Sequence, residues 1–381
     1  MRQRGAIAAG LGILVGAVAA GLGAMAFTYA GQLVRRARRP ERPSRIIAFS
    51  GDTVTIQRYA EAGRPGRFGM WFDDERGYLR VGPVLRSTST TVTREVDVVE
   101  FGEPVPGMPC RMTGAYWRDP AAAGLRAEHL LVPSEVGPMP AWFIPPEAST
   151  PWRDTVILVH GWRSNRTEPL RAVPAIRAAD WSSLVISYRN DPGAPDGPDG
   201  KYHLGATEWR DVEAAIRFAL DHGARRVALA GWSMGGGTVL QTLLRSPLAE
   251  RIDRVLLDAP ALDWHAILTA YVRQARLPAA ITPLAEGIIK SPVGAALIGL
   301  DSPIPLGELS WRAYARRLAH PMLLIQGDDD PTTPVDVARR FEDARPDIIE
   351  YAEFPGAGHI RAWNADPQRY DALVGEWFAR E

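Results

Sequence analysis

The sequence predicts an α/β fold, a doubly wound and mostly parallel sheet over residues 126–381, and two observations carry that prediction. Short, strongly apolar runs recur at Thr155 to Val159, Ser183 to Ser187, Arg226 to Ala230, Arg254 to Leu257, Met322 to Ile325 and Ile349 to Phe354. Between them lie helical patterns such as Thr207 to His222, where Ala214, Ala215, Phe218 and Ala219 repeat at three and four. Strands apolar throughout are buried on both faces, and their alternation with amphipathic helices implies right-handed crossovers that cover a parallel sheet. Glu128 to Val132 and Met139 to Ile144 read as a hairpin leading into this sheet. Residues 263–314 interrupt the alternation with helical, Pro-punctuated sequence. Ligands bind outside the carboxyl ends of such strands, so an insertion following a strand end is placed to act as a lid.

The preceding residues 46–125 form short runs of Val, Thr, Ile and Tyr separated by Gly and Pro, for example Thr53 to Tyr59 and Thr91 to Val99. They read as a small β-rich accessory region without a recognisable chemical constellation. Residues 1–45 read as a membrane anchor and basic linker. Gly5 to Val34 is 30 residues without a charge, bracketed by Arg2 and Arg4 before it and by Arg35, Arg36, Arg38 and Arg39 after it. As a helix it would run about 45 Å, against a hydrocarbon core of about 30 Å. A transmembrane helix is the favoured reading, and a cleavable signal peptide ending at Ala24-Met25-Ala26 is the competing one. Ala8, Gly12, Gly16, Ala20 and Ala24 recur every fourth residue, a stripe through which two membrane helices could dimerise. The positive-inside bias favours a cytoplasmic body, whereas N-terminal anchors with the body outside are common, so the face stays open.

The chain's 381 residues, 46% apolar and 23% charged, suffice for a substantial core and exclude wholesale disorder. Its zero net charge is the sum of two unlike parts, since residues 1–45 hold eight Arg and one acid. The remainder carries 36 basic and 43 acidic side chains, a net of −7 that argues against a nucleic-acid partner. One cysteine, Cys110, excludes an intramolecular disulfide framework and a Cys-based zinc site.

The most informative stretch is Gly231-Trp232-Ser233-Met234-Gly235, a G-x-S-x-G turn that follows an apolar strand and precedes the helix-compatible Thr238 to Leu244. A serine here sits on a sharp, strained strand-to-helix turn, and the flanking glycines let neighbouring backbone pass close. Its hydroxyl needs a base, and the base needs an acid to orient it. Among seven His, His359 in Gly356-Ala-Gly-His359 lies just past the last apolar strand and is the chosen base. His129, His222, His265 and His320 read as structural, and His203 in a loop is the only other able to approach. The acid follows Met322 to Gln326 in Gly327-Asp328-Asp329-Asp330-Pro331, where Asp330 is preferred, Asp328 and Asp329 are fallbacks, and Asp258 is a further alternative.

With these residues in place, residues 126–381 resemble the α/β-hydrolase superfamily, whose chain order Ser, acid, His is matched by Ser233, Asp330 and His359. Within it the chain is similar to bacterial lipase/esterase-like and prolyl-oligopeptidase-like hydrolases. His160-Gly161-Trp162 resembles the loop that completes the oxyanion hole. The resemblance implies that the backbone N–H groups of Met234 and Trp162 hold the oxyanion, each commonly worth about 3 kcal/mol of barrier. His160 is expected to hold that loop rather than carry a proton.

Trp232, Trp264 and Trp363 neighbour these positions and could, with Trp162, line an apolar acyl pocket. Asp191, Asp196 and Asp199 in the loop Asn190 to Gly200 lack the spacing of a known calcium loop, so no metal is expected, and no organic cofactor. The resulting expectation is a membrane-anchored serine esterase acting on a small-molecule or lipid-like acyl substrate. A serine peptidase is the alternative, although the residues between anchor and hydrolase are too few for a β-propeller. A catalytically silent binding module is a further alternative.

Overall fold

The computed structural model describes residues 19–36 and 43–380. The β-rich region is a closed barrel of six antiparallel strands: β1 (Ser44–Phe49), β2 (Thr53–Gln57), β3 (Phe68–Phe72), β4 (Gly77–Ser87), β5 (Thr91–Phe101) and β6 (Pro109–Thr113). They follow the order β1-β2-β5-β4-β3-β6, and β1 closes on β6 through the pair Ser44 and Cys110. Closure removes exposed strand edges, and the alternating Val54 and Ile56, Phe68, Met70 and Phe72 turn inward to fill the interior. Arg94 is buried beside this core, where its guanidinium donates to the carbonyls of Ala62, Arg64, Gly66 and Gly82. Burial pulls its pKa down to about 10, yet those bonds make it the pin for the loop between β2 and β3.

The second unit is an eight-stranded sheet: β7 (Glu128–Ser134), β8 (Gly137–Ile144), β9 (Asp154–Val159), β10 (Ser182–Ile186), β11 (Arg226–Trp232), β12 (Ile252–Asp258), β13 (Met322–Gly327) and β14 (Ile349–Phe354). In the order β14-β13-β12-β11-β9-β10-β8-β7, the strands from β9 onward are parallel, and the β7–β8 hairpin adds an antiparallel edge. Period-two alternation sends Ile157 and Val159 of β9 to one core and Val156 and Leu158 to the other. Helices α3 (Trp209–Asp221), α4 (Met234–Arg245) and α9 (Val335–Ala344) cover the first face. Helices α2 (Val173–Ala178), α10 (Ala362–Ala365) and α11 (Pro367–Ala379) cover the second. The doubly wound architecture is thus the one expected.

The insertion folds into α5 (Trp264–Gln274), α6 (Ile281–Lys290), α7 (Pro292–Leu297) and α8 (Trp311–Arg317). Asp263 caps α5 by accepting from the Ala266 N–H at 3.1 Å, which fixes where the insertion leaves the sheet. Ile267, Leu268, Ile281 and Ile289 join the first core, so the insertion is packed down on the domain.

Residues 19–34 are helical (α1), and here the expectation of one membrane span over residues 5–34 needs correction in extent. Ala26, Ala30, Leu33 and Val34 are buried in the first core, the Tyr202 N–H donates to Val34 O at 2.9 Å, and Arg163 Nε donates to Arg35 O at 3.1 Å. From Leu22 onward one face of the helix packs on the protein. Among the described residues no helix is long and apolar enough to cross a membrane. Residues 5–18, with Ala8, Gly12 and Gly16 of the small-residue stripe, lie outside the described residues. An uncharged Ala, Gly and Leu stripe suits a protein groove as well as lipid, so hydropathy did not separate the two.

Candidate active site

The site forms where β11 ends and α4 begins, with Ser233 as the single residue between them. Ser233 holds φ 51° and ψ −119°, a conformation that costs a non-glycine residue about 1–3 kcal/mol. Surrounding hydrogen bonds impose it: the Ser233 N–H donates to Asp258 O at 3.1 Å, and Ser233 O accepts from the Ala261 N–H at 2.8 Å. Gly235 is required at the turn, because a Cβ there would lie 2.1 Å from Val159 O and 2.4 Å from His160 O. The turn therefore presses directly on the end of β9.

His359, in the loop after β14, places Nε2 2.8 Å from Ser233 Oγ and Nδ1 2.8 Å from Asp330 Oδ2. Asp330 is rigidly held. Its Oδ1 accepts from the Thr332 and Thr333 N–H groups at 2.7 and 2.9 Å, and its Oδ2 accepts from Thr333 Oγ1 at 2.7 Å and Gln326 Nε2 at 3.0 Å. Burial opposes ionisation of Asp330, but the His359 imidazole and the Thr333 hydrogen bonds outweigh it and hold the carboxyl below its ordinary range. An ionised carboxylate places the His359 proton on Nδ1 and leaves the Nε2 lone pair facing the serine hydroxyl.

The other carboxylates at these strand ends have separate partners. Asp328 Oδ1 accepts from the Gly356 N–H at 2.6 Å, and Asp329 pairs with Arg64 at 3.1 Å. Asp258 is buried beneath the turn, accepts from Tyr370 Oη at 3.0 Å, and burial pushes its pKa up to about 6.

The loop after β9 lies against the serine, since a Cβ on Gly161 would be 3.0 Å from Ser233 Cβ. This brings Trp162 beside the turn that carries Met234. Polar groups brace the loop from below: Glu168 Oε1 accepts from the Gly161 N–H at 2.7 Å, and Tyr188 Oη donates to Gly161 O at 2.9 Å. His160 is fully buried, with Nδ1 2.9 Å from Gly161 O and Nε2 2.8 Å from Asp191 Oδ2. Burial disfavours its charge, but Asp191 and Gly161 prevail and its pKa is raised. Both ring nitrogens are engaged, so His160 holds the loop.

The remaining histidines have partners of their own: His129 meets the Trp142 ring, His203 Asp199, His222 Phe218 O, His265 Glu286 and His320 Ala249 O. The tryptophans expected to line one pocket are divided between the two cores. Trp264 lies in the first, with Nε1 donating to Leu204 O, while Trp232 and Trp363 lie in the second. Their large apolar rings fill the sheet's two faces instead of converging. Trp162 is half-buried at the loop, with the Arg163 guanidinium 3.9 Å over its ring. Of the loop aspartates, Asp191 serves His160 and Asp196 pairs with Arg36. Asp199, His203 and Asp301 bring ligand atoms within 4.8 Å of one another, the one group among the described residues suited to a metal ion. Sequence reasoning missed Thr333 and Gln326, which orient Asp330; the hydroxyl pair after Asp330-Pro331 was the available signal.

A family model described as the alpha/beta hydrolase family matches residues 156–373. A second, described as a domain of unknown function, matches residues 45–113, the barrel. No curated protein matches the chain. Among solved structures, an esterase from Pyrococcus furiosus is similar at 18% identity and a TM-score of 0.52, covering 68% of this chain and 94% of its own. A puromycin-hydrolyzing peptidase from Mycobacterium tuberculosis is similar at 22% identity and a TM-score of 0.50, covering 87% of this chain and 47% of its own.

Proposed function

The chain belongs to the alpha/beta hydrolase family, and from that premise we propose that it is a serine hydrolase cleaving a carboxylic ester or thioester through an acyl-enzyme intermediate. The observation that carries the reading is the unbroken relay from Ser233 Oγ through His359 to Asp330, with 2.8 Å at each junction. Ser233 attacks the substrate carbonyl as His359 Nε2 takes its proton, and Asp330 stabilises the imidazolium that results. The N–H groups of Met234 and Trp162 receive the oxyanion, on a loop braced by Glu168 and His160. The imidazolium then protonates the leaving alcohol or thiol, and water, activated by the same His359, releases the acid.

The insertion packed over the strand ends, α5 above all, forms the acyl-side wall. The uncharged residues 5–21 remain the proposed membrane tether, 17 residues against the roughly 17–25 that span a bilayer. Recovery in the membrane fraction after a high-pH carbonate wash, lost on deletion of residues 1–18, tests the tether. The reaction class is tested with p-nitrophenyl esters of graded chain length beside aminoacyl and prolyl anilides. Ester turnover that exceeds anilide turnover supports the proposal; faster anilide turnover makes the protein a serine peptidase.

A further inference from the structure

We infer that the barrel is a positioning device for the acid and base, acting through Arg64. The inference rests on the Ser233, His359 and Asp330 assignment and adds a role for residues 44–113. The barrel's β2–β3 loop meets the main domain at the segment from Gly358 to Asn364 that carries His359, and at Asp329 in the turn that carries Asp330. The Arg67 N–H donates to Asn364 O at 2.9 Å, and Asn364 Nδ2 donates to Gly114 O at 2.9 Å and to Arg67 O. Asn364 is fully buried between the units, and from the other side its Oδ1 accepts from Arg171 Nη1 at 3.2 Å. Gly66 approaches so closely that a Cβ on it would lie 1.7 Å from Asn364 O.

Arg64 reaches furthest toward the chemistry. Its guanidinium occupies the space a Gly358 side chain would fill, with Cζ and Nη1 each 2.7 Å from the ideal Cβ position. The same group pairs with Asp329 at 3.1 Å and is steadied by Glu61 at 3.1 Å. Gly358 immediately precedes His359, and Asp329 immediately precedes Asp330. One barrel side chain thus bridges the backbone neighbours of both members of the acid–base pair. The loop bearing Arg64 is itself pinned from within the barrel by Arg94, so the position passes from barrel core to His359 through direct contacts.

Arg64 is a positioning residue, and its loss is expected to appear in kcat. With a p-nitrophenyl ester, Arg64→Ala lowers kcat about tenfold, the scale of a sub-ångström displacement of reacting groups, and leaves KM within about twofold. Arg64→Lys, which keeps the charge toward Asp329 but not the flat guanidinium over Gly358, recovers part of the loss. Asp329→Asn reproduces the Arg64→Ala effect, and the double variant is no slower than either single, because both break one contact. Asp329 is exposed, so Asp329→Asn carries the test should Arg64→Ala fail to fold. An unchanged kcat in folded variants overturns the inference, as does a raised KM at constant kcat, which would mean that Arg64 meets substrate. An inert wild-type protein overturns the functional reading itself, before any variant is compared.

Discussion

Asp330→Asn is the substitution whose outcome the structure defines most closely. An asparagine amide must choose which end presents its oxygen, and here the choice is made for it. The Oδ1 site faces the N–H groups of Thr332 and Thr333, main-chain donors that cannot rotate away. The amide oxygen takes that site, and the NH2 group turns toward His359 Nδ1, where Oδ2 stood at 2.8 Å. Now a donor, it forces the imidazole proton onto Nε2, which faces Ser233 Oγ at 2.8 Å and can no longer accept from it. The fold is kept at a modest cost in stability, because Thr333 Oγ1 can accept where it formerly donated, and Gln326 Nε2, which loses its acceptor at Oδ2, still donates to the Thr333 and Gly327 carbonyls. A wrong-tautomer base costs on the order of 10⁴ in kcat, or about 5 kcal/mol of barrier. The assay is steady-state hydrolysis of p-nitrophenyl butyrate with thermal melting in parallel, and KM is expected to move little. Activity within tenfold of wild type, or a 10⁴-fold loss at Asp328→Asn or Asp329→Asn instead, would refute the reasoning.

Three further outcomes follow from the same geometry. Gly235→Ala drives a Cβ to 2.1 Å from the Val159 carbonyl, so thermal melting should show a loss of about 1–3 kcal/mol, with ester turnover down at least about a hundredfold as Ser233 shifts; a silent substitution would contradict the close approach. Asp258 has a folded-state pKa raised to about 6, so its contribution to stability is full below its unfolded value and is lost as pH rises through the folded one. Asp258→Asn should therefore match wild type near pH 4 and exceed it at pH 7.5 by up to about 3 kcal/mol in urea unfolding, and equal stability at both would count against the shift. Arg94→Met strands the carbonyls of Ala62, Arg64, Gly66 and Gly82, so the barrel should lose at least about 3 kcal/mol by circular dichroism, with hydrolysis falling alongside.

What was legible in the sequence follows from how local each signal is. Buried parallel strands announce themselves as short apolar runs, and the turn around Ser233 needs its glycines within two residues, so the parallel sheet and the candidates Ser233, Asp330 and His359 could be read together, whereas the strand order could not. Asp330 stood out from Asp328 and Asp329 by its distance past β13, and the separate bonds of those two to Gly356 and Arg64 supply the physical reason. Barrel closure was not legible, because the pairing of Ser44 with Cys110 joins residues far apart in the chain. Trp232, Trp264 and Trp363 were expected in one pocket, but an indole packs a core as readily as it lines a cleft. The docking of α1 was hidden for a similar reason: Ala26, Ala30, Leu33 and Val34 would look the same facing lipid. Arg64 was an unremarkable loop arginine until Gly358 and Asp329 were found beside it.

The central claim is that Ser233 is the nucleophile of a working ester hydrolase. Reaction of the purified protein with a fluorophosphonate, followed by peptide mass analysis, tests it. One phosphonyl group per chain is expected on the peptide containing Ser233, with labelling that abolishes ester turnover and no labelling of Ser233→Ala. A well-folded wild-type protein that remains unlabelled, or one labelled at another serine, would contradict it.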